Sequence, residues 1–89
     1  MAKIYKGQTI MIDLIADEDL SSLSNTIKYI DPNGDSGQFT GVNVVEHRVQ
    51  YITTLNTEGV WTFWIYSVGL GGEITPSEPV RLRVYREGE

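Results

Sequence analysis

Apolar and polar residues alternate along most of this chain. Ile10, Ile12 and Leu14 are interleaved with Thr9, Met11 and Asp13, and Val80, Leu82 and Val84 with Arg81, Arg83 and Tyr85. A strand points neighbouring side chains to opposite faces, so a period of two reads as half-buried β-strand. β-Branched and aromatic residues dominate these runs, and no long helical period appears. Seven strands are expected, over 3–6, 8–14, 26–30, 38–45, 48–53, 60–68 and 80–85. Turn chemistry separates them. Gly7 ends the first strand, and ADEDLSSLSN reads as a polar crossover loop between sheets. DPNGDSG supplies a proline that presets φ, with asparagine and glycine that accept positive φ. Glu46 and His47 form a further turn, LNTEG a corner and GLGG a chain reversal. Pro76 and Pro79 cannot donate to a ladder and mark an edge, a bulge or a strand switch.

The run GVWTFWIY, residues 59–66, concentrates four of the nine aromatic residues in eight positions. Alternation divides it. One half, Trp61, Phe63 and Ile65, is assigned to the core with Ile10, Ile12, Leu14, Ile27, Tyr29, Val42, Val44, Val49, Tyr51, Leu55, Val80, Leu82 and Val84. A buried Trp61 needs an acceptor for its indole N–H. The other half, Thr62, Trp64 and Tyr66, then faces outward. If residue 68 opposes residue 73 across GLGG, Arg81, Arg83 and Tyr85 share that outer face, joined from the third strand by Lys28 and Ile30. A proline bulge would invert this register.

Trp, Tyr and Arg are enriched at protein–protein hot spots, so Lys28, Trp64, Tyr66, Arg81 and Arg83 are the candidate interface residues. Two plainer readings compete: a solvated face with cations lying over aromatic rings, and a loop that covers Trp64. A sugar platform also uses aromatic rings, but it favours acids and amides beside them, whereas these neighbours are basic.

Length and charge narrow the class. Eighty-nine residues make one domain, 1–89, with a small core. No cysteine is present, so neither disulfides nor thiolate metal sites arise. A net charge of −5 disfavours non-specific nucleic-acid binding. No apolar run has the length of a membrane span, and the N-terminus lacks a signal peptide's apolar stretch. The expectation is a soluble protein made in a cytoplasm, without membrane or nucleic-acid partners.

Chemical constellations are weak. Asp31, Asn33 and Asp35 alternate as at the start of a calcium loop. However, Ser36 stands where that loop needs glycine and Val42 where it needs glutamate, so a structural turn is expected. Asp17, Glu18 and Asp19 read as a solvated acidic loop. His47 is the only histidine, and it has no partner converging on it in the sequence. No nucleophile elbow or phosphate loop occurs. The expectation is a non-enzyme with no cofactor and no metal.

Two resemblances refine the class. Leu55-x-x-Glu58-Gly59-x-Trp61-x-Phe63 resembles the corner of immunoglobulin-like domains, where a glycine precedes the sixth strand and an aromatic residue turns inward. Trp61 stands at the corner tyrosine's place, and Phe63 at the second cysteine's place. The fold expected is therefore all-β, an immunoglobulin-like β-sandwich of about seven antiparallel strands. Over residues 4–85, IYKGQT, DLSS, the D-P-N-G turn, G-x-W-T and PVRLRVY follow in order. Together they resemble small immunoglobulin-like structural proteins of tailed-bacteriophage virions. A short last hairpin with Pro76 and Pro79 departs from that pattern. The resemblance implies a virion location near the tail, baseplate or head–tail junction, synthesis in the host bacterial cytoplasm, and assembly with other virion proteins and copies of itself. The alternative from another class is a carbohydrate- or receptor-binding accessory module.

Overall fold

A computed structural model of the chain describes residues 3–88. Nine strands are present among them, and no helix: β1 (Ile4–Tyr5), β2 (Thr9–Ile15), β3 (Ser24–Ile30), β4 (Ser36–Phe39), β5 (Asn43–Val45), β6 (Arg48–Thr54), β7 (Gly59–Val68), β8 (Ile74–Pro76) and β9 (Val80–Tyr85). They form two sheets. One has the order β1-β9-β7-β3-β4, with β8 also paired to β7; the other has the order β2-β6-β5. Side chains of both sheets meet in one apolar cluster: Ile12, Leu14 and Val49 from the smaller, and Ile27, Trp61, Phe63, Ile65 and Val84 from the larger. The molecule is an all-β, two-sheet sandwich.

The expectation of seven antiparallel strands needs correction. The segment expected as one strand over 38–45 breaks around Gly41, whose φ is +72°. β4 joins the larger sheet and β5 the smaller. The break also resets alternation, so Phe39 and Val44 both pack toward the core although they are five positions apart. Phe39 stacks between Tyr29 (centroids 4.8 Å) and Tyr51 (4.7 Å), a role the sequence pattern had not assigned to it. β8 is the other additional strand. One pair is parallel: β1 runs alongside β9, with Ile4 opposite Val84.

Two glycines are required by what they touch. Gly59 has φ +122°, and a Cβ there would lie 2.7 Å from the Cβ of Pro32. A side chain would therefore be strained twice, by backbone conformation and by contact. This is the corner that sets which half of GVWTFWIY turns inward. Gly37 sits under the Tyr29 ring, its cross-strand partner, and a Cβ would overlap the phenol.

The core assignments hold for Ile12, Leu14, Ile27, Val49, Leu55, Trp61, Phe63, Ile65 and Val84, all buried. Ile10, Tyr29, Val42, Val44, Tyr51 and Leu82 pack partly buried around them. Val80 is the exception, at 50% exposure. Leu20, assigned to a polar loop, is only 2% exposed. A polar network holds it there. Ser67, itself buried, donates to Asn25 Oδ1 (2.6 Å), and Asn25 Nδ2 donates to the carbonyls of Leu20 (2.9 Å) and Leu23 (3.0 Å). The Leu20 N–H in turn donates to the Glu46 carbonyl (2.8 Å), tying the crossover loop to the β5–β6 turn.

Candidate protein interface

The outer face of the larger sheet gathers all five candidate residues. Trp61, Phe63 and Ile65 alternate inward along β7, so Thr62, Trp64 and Tyr66 face out. Register brings β3 beside them: Lys28 lies opposite Trp64, Thr26 opposite Tyr66 and Ile30 opposite Thr62. The Lys28 ammonium sits 3.6 Å from the centroid of the Tyr66 ring. A contact of this kind contributes about 0.5–1 kcal/mol where exposed. On the other side, Arg81 lies opposite Thr62 and Arg83 opposite Val60.

The last hairpin reaches this arrangement by an unexpected route. Val68 opposes Ile74, one residue beyond the anticipated partner. Tyr66 then opposes Pro76 while Phe63 opposes Val80, so three steps along β7 meet four along the β8–β9 segment. That is a one-residue bulge, placed between Pro76 and Val80. The Ser77 hydroxyl accepts from the Ile65 N–H (2.8 Å), and the Ser77 N–H donates to the Ile65 carbonyl (2.9 Å), so the distorted segment stays docked. The two one-residue offsets add to two, which preserves parity and leaves Arg81 and Arg83 facing out.

Further residues extend the face. Tyr5 pairs with Tyr85, their rings 6.5 Å apart, and the Lys3 ammonium lies 4.8 Å from the Tyr85 centroid. Gln38 opposes Lys28, and Ile30 and Val60 are 40% and 38% exposed. Tyr5 and Lys3 were missed because only the β1–β9 pairing, between the two ends of the chain, brings them here. Among the strands, the sole carboxylate is Asp13, on the smaller sheet. The larger sheet therefore presents Lys28, Arg81 and Arg83 without a strand-borne acid, on a chain whose net charge is −5.

The acidic segments take local roles. The Asp31 carboxylate accepts from the backbone N–H groups of Asn33 (3.0 Å) and Asp35 (2.9 Å), which makes DPNGDSG a self-capped turn with Gly34 at φ +87°. Asp19 accepts from the Ser21 hydroxyl (2.5 Å) and N–H (2.9 Å), and these bonds hold its carboxyl below the usual pKa. Among the described residues, no three His, Cys, Asp or Glu side chains gather as metal ligands would.

No family model, curated protein or solved structure matches the chain.

Proposed function

We propose that the chain is a non-enzymatic structural protein of a tailed-bacteriophage virion, in the tail, baseplate or head–tail region. It assembles with neighbouring virion proteins and with copies of itself through the outer face of the larger sheet. The observation that carries this reading is the face itself: Trp64, Tyr66, Lys28, Arg81 and Arg83 in register, partly apolar and basic on an acidic molecule. Such a surface has the composition of a hot-spot patch, and its charge suits acidic partners.

An immunoglobulin-like identity for the sandwich is supported by strand order. β2, β6 and β5 take the places of strands B, E and D; β3, β7 and β9 those of C, F and G; and β4 that of C′. The corner supports it as well. Trp61 Nε1 donates to the Thr57 carbonyl four residues upstream (2.8 Å), the kind of backward bond a corner tyrosine makes with its hydroxyl. A sugar platform is less well supported, because Lys28 already covers a face of Tyr66.

The test is assembly. Trp64→Ala combined with Arg83→Glu should leave the melting temperature close to that of the parent chain. Self-association measured by sedimentation, and incorporation into particles, should both fall. Parent-level association and incorporation in the double variant would overturn the proposal.

A further inference from the structure

The edges of the two sheets are unequally protected. β1, β4 and β5 are edge strands of two, four and three residues. β8, of three residues, pairs only with β7 and is an edge as well; β2 is the remaining edge and runs for seven. Among the described residues it pairs with β6 on one side and with no strand on the other. Natural edges guard themselves by shortness, proline, bulges, lysine or inward charge. TIMIDLI has no proline and no lysine, and its single charge, Asp13, alternates outward from buried Ile12 and Leu14. Across the sandwich, the β8–β9 segment is guarded by Pro76 and Pro79, which cannot donate.

Between these two unlike borders lies a groove of about 500 Å³, from Ile15 at the end of β2 to the β8–β9 segment. Leu20, Ile65 and Ser67 line it, each at most 2% exposed. Val80 also lines it and reports on what is missing. It pairs with Phe63, an inward position that is 1% exposed, yet Val80 itself is 50% exposed. Val80 is therefore an inward position left open on this side. Asp17, Glu18 and Glu78 line the groove too, and none of its lining residues is basic.

We propose that the β2 edge and this groove together receive an extended segment of a partner protein, which adds to the smaller sheet as a strand beside β2. The unpaired edge selects an extended backbone, because only a strand satisfies a row of N–H and C=O groups. The groove selects aliphatic side chains at alternate positions, one of which covers Val80. The three carboxylates select lysine or arginine flanking that apolar stretch. This site lies apart from the aromatic–basic face and does not depend on the function proposed for it.

The probe is a short synthetic peptide that alternates valine with lysine and threonine, titrated into the full chain and followed by amide hydrogen exchange. Amides of Thr9–Ile15 should slow on binding. The same peptide, N-methylated at alternate residues to remove its donors, should bind about tenfold more weakly or worse. Glu18→Lys with Glu78→Lys should weaken the unmethylated peptide severalfold and leave the free chain's exchange pattern unchanged. Unaltered β2 exchange at millimolar peptide would overturn the proposal. So would equal binding of the N-methylated peptide, since the groove would then hold side chains without adding a strand. Slowed β2 exchange in the chain alone, rising with its concentration alongside a dimer mass, would assign the edge to a second copy and overturn the choice of a foreign partner.

Discussion

β7 carries two tryptophans three residues apart, and they live in different worlds. Trp61 is 7% exposed, stacked parallel to Phe63 at 6.0 Å, with its indole N–H bonded to Thr57. Trp64 points to the other face, across from Lys28 and within a basic, partly exposed patch. Both are the same residue in the same strand, and only parity separates them. The inner one is held by shape and by a satisfied donor. The outer one is half-buried beside Lys28 and keeps part of its surface open. Aromatic density in a strand is therefore no measure of core strength until the corner that sets parity is located.

Substitution on the inner face should have the largest effect. Trp61→Ala should cost about 3–5 kcal/mol or abolish folding, measured by urea unfolding. A cooperative variant with near-parent stability would show that parity has been assigned backwards. Gly59→Ala attacks the corner. With φ at +122° and Pro32 in the way, it should cost about 1–3 kcal/mol on the same measurement. Ser67→Ala removes the donor to Asn25 inside the sandwich and should cost about 1–3 kcal/mol, with faster hydrogen exchange at Leu20 and Leu23. Trp64→Ala, on the outer face, should change stability by about 0.5 kcal/mol or less while reducing association.

The smallest effect lies far from β7, in the crossover loop. The bonds from Ser21 keep the Asp19 carboxyl below its usual pKa in the folded state. A lowered folded pKa favours folding above the ordinary carboxylate range, and the contribution fades as pH falls through the lowered value. Carboxyl carbon shifts followed during an acid titration should show Asp19 titrating below the ordinary aspartate range, and Ser21→Ala should move it back up.

Much of this was legible along the chain. The alternation over Thr9–Ile15, Gly59–Val68 and Val80–Tyr85 determined all-β architecture, because a period of two admits only one way to bury half the residues. It also determined the division of GVWTFWIY, since Gly59 and the spacing to Trp61 are local features. Lys28, Trp64 and Tyr66 follow from the same parity together with a β3–β7 pairing. What stayed hidden depended on distance in sequence. Phe39 went unassigned because nothing local shows that Gly41 breaks the strand and sends its halves to different sheets. Leu20 looked solvated because the Ser67–Asn25 bond that draws its loop inward spans 42 residues. The register of β9 was a matter of two slips, at the hairpin and at the Pro76–Val80 bulge, whose sum kept Arg81 and Arg83 outside.

Alternation and turn chemistry, which act between near neighbours, were enough for the all-β class, for most of the strands and for the two faces of β7. Only the tertiary structure decided which strands became edges, that Val80 would be left half open, and that Tyr5 would meet Tyr85. Those outcomes depend on which segments distant in the chain come to lie side by side, and no local pattern carries that information.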